Sequence, residues 1–336
     1  MIKINPMDTY TVEKYMKMIK KEVVIDKITE EMVHEKEKII NKRKTKYKDE
    51  IIQIDEFIKE SNSFLNTRIK TDLEQLIGGN MKAILNIYDA YAKQFKNIIP
   101  ERGRDFKKFS FEQKVMNYIL RDIFNYDKIV SKKDIAYEIT SILDVQVCPY
   151  CNRTYTSTVM KGKNKIIRPD FDHYYAKTEY PIFALSLCNL IPSCKICNSK
   201  KGSNSFGYDT NMYPFEEGVE DKKVFTYELP EYTIKVLRKD EGEKYRRFLN
   251  NVEKLKIEEI YDGAHRNIVR NLIKRAESIN EKMIDVLNER LETEILQDKN
   301  TLKSILGYTP KEEIKNVSLG KLKNDIIDTI FDENIS

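Results

Sequence analysis

Cys148-Pro149-Tyr150-Cys151, then Asp170-Phe171-Asp172-His173, then Asn189-Leu190-Ile191-Pro192-Ser193-Cys194-Lys195-Ile196-Cys197-Asn198-Ser199-Lys200-Lys201-Gly202 is the run on which the fold turns. Two C-x-x-C pairs, separated by residues 152–193, can supply four thiolates to one tetrahedral zinc, each pair curling round the metal as a short knuckle. A metal staple of this kind does not itself require a His, a carboxylate and two amides beside it. Asp172-His173 follows the apolar Ile166-Ile167 and precedes aromatic residues, which predicts that His173 ends a β-strand. Asn189 opens a second short apolar segment, and Asn198 follows the last cysteine at a predicted helix start.

In this order the residues resemble the HNH endonuclease family in its H-N-N form, written D-H … N-L-x-P-x-C-x-x-C-N-x-x-K, whose core is a zinc-stapled ββα-metal motif. The resemblance implies His173 as general base and Asp172 and Asn198 as ligands of a catalytic Mg2+ or Mn2+. It implies Asn189 as the brace of the loop that carries His173, and Cys148, Cys151, Cys194 and Cys197 as ligands of a structural Zn2+. Lys177, Lys200 and Lys201 are expected on the nucleic-acid backbone. Ala176 departs from the H-x-x-P-K pattern in which many relatives carry Pro, which loosens the loop without removing a catalytic group; Lys177 and Pro181 fit.

The 336 residues suffice for two or three compact units. With 34% charged and 40% hydrophobic residues and a mean hydropathy of -0.58, the chain reads as helix-rich and soluble. It contains no run of about 18 apolar residues to span a bilayer. The start, Met1-Ile2-Lys3-Ile4-Asn5-Pro6, lacks the apolar core of a secretion signal, so a cytoplasmic location is expected. Five cysteines, four of them in paired spacing, suit a reducing compartment and a metal, and Cys188 is left over. Residues 146–210 hold nine Lys or Arg against four Asp or Glu, which equals the net +5 of the whole chain. A positive excess beside the site suits a phosphodiester polyanion; a solvated lysine-rich surface is the competing reading.

Three regions follow. Residues 1–143 read as an N-terminal helical domain, 144–210 as the zinc-stapled nuclease core, and 211–336 as a C-terminal region with a β-hairpin followed by helices, giving a mainly α protein with a small α+β core. Tyr15, Met18 and Ile19 share one face of a first helix, and Asp26 is placed to cap a long second one toward Phe57-Ile58. The basic run Asn41 to Lys48 on that helix reads as a solvated face or a break before it reads as a nucleic-acid contact, and His34 as a surface residue. Gly78-Gly79 stops a helix, and Ser110 to Gln113 and Ser131 to Asp134 read as capping boxes. Thr154 to Val159 opens a hairpin turning near Gly162, and Val224 to Leu229 pairs with Tyr232 to Leu237 in another. Helical patterns resume from Leu255 through Leu287, and a last helix carries Leu319, Leu322, Ile326 and Ile330.

Tyr261-Asp262-Gly263-Ala264-His265-Arg266 and Leu319 to Ile326 resemble C-terminal segments of bacterial anti-phage HNH nucleases, the nuclease subunit of Septu-type systems among them. That resemblance implies a defence effector controlled by an ATPase partner of the SMC or ABC type. No P-loop or dinucleotide-binding glycine pattern is present, so the chain does not read as its own ATPase. His265 reads as structural. The expected activity is hydrolysis of nucleic acid, DNA by default and RNA as an option, with no membrane partner. The competing classes are a zinc-dependent binding or scaffolding module without hydrolysis and a free-standing restriction-type nuclease.

Overall fold

The computed structural model describes residues 1–23, 48–131, 134–162, 164–239, 242–279, 289 and 299–333. The N-terminal region is built from capped amphipathic helices. Helix α1 (Thr9–Ile19) starts where the Asp8 carboxylate accepts the Thr11 N–H at 2.7 Å, and it turns Tyr15 and Ile19 into the core. Helix α2 (Lys48–Ser63) continues through a π-helical turn, Phe64–Ile69, into α3 (Lys70–Gly78). Helix α3 ends at Gly79, whose backbone turns extended, and glycine is needed there because a Cβ would lie 2.4 Å from the Gln75 carbonyl oxygen. Helix α4 (Met81–Gln94) is capped by Asn80, and α5 (Phe111–Ile123) by the reciprocal Ser110–Gln113 box. Helix α6 (Ile135–Leu143) begins after Asp134 with no side-chain cap. Ser131 ends a π-helical turn, Asp127–Ser131, and the middle of the second capping box expected from the sequence, Lys132-Lys133, lies outside the described residues.

The described residues of 144–210 form four short strands, one α-helix and two 3-10 turns, Pro181–Phe183 and Leu187–Asn189. Strands β1 (Val159–Lys161) and β2 (Asn164–Ile167) pair as an antiparallel ribbon. The ribbon is shorter than expected, since Thr154 to Thr158 contribute only a single bridge, Val147 to Tyr155. Strand β3 (Asp170–His173) pairs with β4 (Leu190–Ser193), with His173 opposite Leu190 and Asp170 opposite Ser193. Helix α7 (Lys195–Lys201) follows β4 at once.

The C-terminal region lays the hairpin β5 (Phe225–Glu228) and β6 (Thr233–Val236) on two helices, α9 (Ile257–Ser278) and α11 (Gly320–Glu333). Phe225 stacks on Tyr261 at 4.7 Å, and Asp325 of α11 accepts the Val224 and Phe225 N–H groups at 3.0 Å each. Helix α8 (Glu243–Leu255) precedes α9, so the helical stretch begins twelve positions before the expected Leu255; Lys256, left-handed at φ 55°, separates the two. Helix α10 (Lys299–Ile305) is short. Residues 24–47 of the long helix expected after Asp26, with His34 and most of the basic run, lie outside the described residues, as do Met283 and Leu287, while the end of that expected helix toward Phe57-Ile58 is α2.

One apolar core runs through all three regions, from Ile4 and Tyr15 through Phe183 to Ile326. The chain is thus mainly helical with three two-stranded antiparallel sheets among the described residues. No described helix is long and apolar enough to cross a membrane.

Candidate metal centre and adjoining cleft

The four cysteines of the two C-x-x-C pairs converge. Cys148, Cys151, Cys194 and Cys197 are buried, and their sulfur atoms lie within 4.8 Å of one another. A tetrahedral site with metal–sulfur bonds of about 2.3 Å has sulfur–sulfur edges of about 3.8 Å, and the Cys151 and Cys194 sulfurs stand 3.9 Å apart. The donor set and its spacing therefore fit a metal such as zinc. Thiol hydrogen bonds from Cys148, Cys151 and Cys197 hold Cys194 far below the ordinary thiol range, while burial pushes Cys148 up. Cys188 lies outside the cluster, buried and pushed up by desolvation, as an inert core thiol.

Local backbone explains the convergence. The Asn152 N–H bonds the Cys148 carbonyl at 2.7 Å, closing the first knuckle with Asn152 left-handed at φ 47°, a conformation asparagine tolerates better than most residues. Cys194 caps α7, its sulfur accepting the Cys197 N–H at 3.4 Å. The knuckle is held from outside as well. Ile2 N–H bonds the Pro149 carbonyl, and the Tyr261 hydroxyl donates to the Cys151 carbonyl. The Asn152 amide donates to the Ile314 carbonyl at 2.8 Å and accepts the Lys321 N–H at 2.9 Å, and Leu319 N–H bonds the Asn152 carbonyl. Both C-terminal stretches singled out in the sequence thus meet at this knuckle.

Beside the four-cysteine cluster lies a cleft of about 380 Å³, lined by Asp170, Asp172 and His173 of β3, by Asn198 of α7, and by Tyr126, Arg168 and Lys177. His173 Nε2 lies 3.1 Å from the Ala184 carbonyl oxygen. A carbonyl only accepts, so in the neutral imidazole the hydrogen sits on Nε2 and Nδ1 keeps its lone pair. Burial, reinforced by Lys177, lowers the His173 pKa to about 3, so the ring is neutral at ordinary pH. The Tyr126 ring meets it edge-on at 4.5 Å.

Asn189 is fully buried and braces the chain beyond His173. Its amide accepts the Tyr175 N–H at 2.7 Å and donates to the Tyr175 and Phe183 carbonyls at 3.0 and 3.1 Å. With both sides of Tyr175 held, Ala176 does not leave the turn unsupported; its N–H bonds the Ser205 hydroxyl at 2.9 Å.

Two expectations from the sequence change. Lys201 does not face a phosphate: its side chain is 1% exposed, and the ammonium bonds Asp172 Oδ1 at 3.0 Å and the His173 carbonyl. Asp172 is turned the same way, its other oxygen accepting the Tyr150 hydroxyl at 2.6 Å, so neither oxygen is free for a cation in the cleft. Asp170, two residues earlier and on the same strand face, is half-exposed, and its Oδ2 accepts from the Asn198 amide at 3.3 Å. Lys177 lies at the cleft but is bound to Asp127 at 2.6 Å, and Lys200 is exposed outside the lining.

Sequence reasoning missed Asp170, although the D-F-D-H alternation signals it, and missed Tyr126, for which no local signal exists. His265 sits apart on α9, half-buried against the Tyr261 ring at 5.5 Å, with its pKa lowered by burial and by Arg153. No family model, curated protein or solved structure matches the chain.

Proposed function

We propose that this chain is a metal-dependent endonuclease that hydrolyses phosphodiester bonds, with DNA favoured by the resemblance to HNH enzymes. One observation carries the reading: a neutral imidazole, fixed by the Ala184 carbonyl so that Nδ1 is the basic atom, lines a cleft with Asp170 and Asn198 beside a four-thiol metal centre. The pairing of β3 with β4 and the start of α7 at Cys194 match the strand, strand, helix order that the resemblance implies.

His173 takes a proton at Nδ1 from the water that attacks phosphorus; its pKa of about 3 makes it a weak base until an anionic phosphate enters the cleft and raises it toward the range in which such a group contributes typically ~10²–10⁴-fold in rate. Asp170 and Asn198 offer hard oxygen donors suited to Mg2+ or Mn2+, and such an ion when bound neutralises phosphate charge and steadies the departing oxygen. Asp172 acts differently from the expectation. Through Lys201 it ties β3 to α7 and so keeps His173 and Asn198 in register. Arg168 and Lys177 supply positive charge at the rim. The four-cysteine centre is closed by its own ligands and acts as a staple.

We further infer a role as the effector of an anti-phage system controlled by an ATPase partner of the SMC or ABC type. The resemblance of the Tyr261 to Arg266 and Leu319 to Ile326 stretches supports this, as does the lack of a nucleotide-binding glycine pattern in the sequence. The test of the nuclease reading is cleavage of supercoiled plasmid and of total RNA with Mg2+ or Mn2+, with and without the partner. His173→Ala is expected to abolish cleavage while zinc content stays at the parent level. Cleavage at the parent rate by His173→Ala would leave a zinc-stapled scaffold as the better account.

A further inference from the structure

Residues 145–169, from the end of α6 to the start of β3, contain no Asp or Glu and five cations, Arg153, Lys161, Lys163, Lys165 and Arg168. Their charge equals the net charge of the entire chain, +5. Within this stretch the ribbon of β1 and β2 is exposed at every described position on both strands. Four apolar side chains stand in solvent on it: Val159 and Met160 at 41% and 45% exposure, and Ile166 and Ile167 at 55% each. A ribbon exposed on both faces contributes little to the core that holds the rest of the fold. Its base is nonetheless anchored. Lys165 pairs with Asp134, and Lys165 and Arg168 both approach the Tyr137 ring at 5.6 Å. Arg168 then lines the cleft, two residues before Asp170.

We propose that this ribbon is a duplex-docking element that enters a groove of double-stranded nucleic acid and presents the adjoining backbone to the cleft. The proposal rests on the nuclease reading for what occupies the cleft. The dimensions suit it: two strands about 4.8 Å apart with their side chains fit a major groove about 12 Å wide, and strands of three to four residues reach about 10–14 Å, against a groove depth of about 8.5 Å. The charge suits it equally, because a stretch without carboxylates meets no repulsion from closely spaced phosphates. The exposed Val159, Met160, Ile166 and Ile167 supply apolar contact to base edges and sugars.

The experiment measures binding, not cutting, in the full chain carrying His173→Ala. A labelled 30-base-pair DNA duplex, the corresponding single strand and a 20-residue polyglutamate are titrated between 50 and 300 mM salt, with Lys161→Ala as one variant, which leaves the Lys165 anchor in place, and Ile166→Ser/Ile167→Ser as a second. Zinc content of both variants controls for folding. Removing one phosphate contact is expected to lower the slope of log affinity against log salt by about 0.9, and to weaken duplex binding about threefold or more at 150 mM. The apolar variant is expected to weaken duplex binding with the slope unchanged. Unchanged duplex affinity and slope in both variants would overturn the proposal. So would failure of the parent protein to bind duplex, or a loss confined to polyglutamate, which would assign the ribbon to an acidic protein. Loss of duplex binding in the variants alongside a parent chain that never cuts would retain the ribbon and reject the nuclease reading.

Discussion

Lys201→Met removes an ammonium whose surroundings decide between two roles for the residue. The side chains of Lys201 and Asp172 are 1% and 2% exposed, and the ammonium lies 3.0 Å from Asp172 Oδ1 while also bonding the His173 carbonyl. Methionine keeps the length and the packing against Phe206, whose ring centroid is 5.2 Å from the ammonium. It leaves the Asp172 carboxylate with the Tyr150 hydroxyl as its one remaining partner. Breaking a buried pair from one side costs about 3–5 kcal/mol because the survivor is an uncompensated charge. In a chain of this size each kcal/mol moves Tm by roughly 2–3 °C, so a fall of roughly 6–15 °C is expected. Calorimetry on zinc-loaded protein reads it directly. Asp172→Leu/Lys201→Met is expected to recover much of the loss, since no lone charge remains. If instead Lys201→Met melts with the parent and lowers the salt slope of duplex binding by about 1, the ammonium meets phosphate and the buried-pair account fails.

Other outcomes follow from the same geometry. Elemental analysis is expected to find one zinc per chain, unchanged in Cys188→Ser and lost in Cys194→Ser; zinc loss on Cys188→Ser would show the ligand set to be wrong. Asn189→Ala leaves the Tyr175 N–H and two carbonyls unpaired in the core, so a loss of about 1–3 kcal/mol and a cleavage defect that deepens on warming are expected. A defect equal to that of His173→Ala at low temperature would contradict a bracing role. The folded His173 pKa of about 3 lies below the unfolded value of about 6.5, so its stabilisation is fully present above about pH 6.5 and is lost as pH falls toward 3. By pH 5 this amounts to about 2 kcal/mol, seen as a steeper acid loss of urea resistance in the parent than in His173→Gln. Parallel curves for the two proteins would remove the neutral imidazole.

The convergence of the four cysteines was legible because C-x-x-C spacing encodes a local turn, and the same holds for the end of β3 at His173 and the turn at Gly78-Gly79. The face on which a polar side chain acts was less so. Asp170 and Asp172 share a strand face, and only the fold shows that Tyr150 and Lys201 claim the second and leave the first at the cleft. A lysine in a basic run looks solvated until its partner, in sequence far from it, is known. Tyr126 reached His173 from the N-terminal region through tertiary packing that no local pattern carries. Helix α8, by contrast, was legible, since Tyr245, Phe248, Val252 and Leu255 recur at helical spacing on its buried side with charged residues between them.

The bonds of Asn152 carry a consequence for synthesis of the chain. The partners of its side chain and carbonyl are Ile314, Val317, Leu319 and Lys321, more than 160 positions downstream. A ribosome that has just released the second cysteine pair has therefore made all four thiols, and Ile2 that bonds the Pro149 carbonyl, but none of the downstream groups that hold Asn152 and the Cys151 carbonyl. The Asn152 side of the nascent knuckle is left to water until residue 321 emerges.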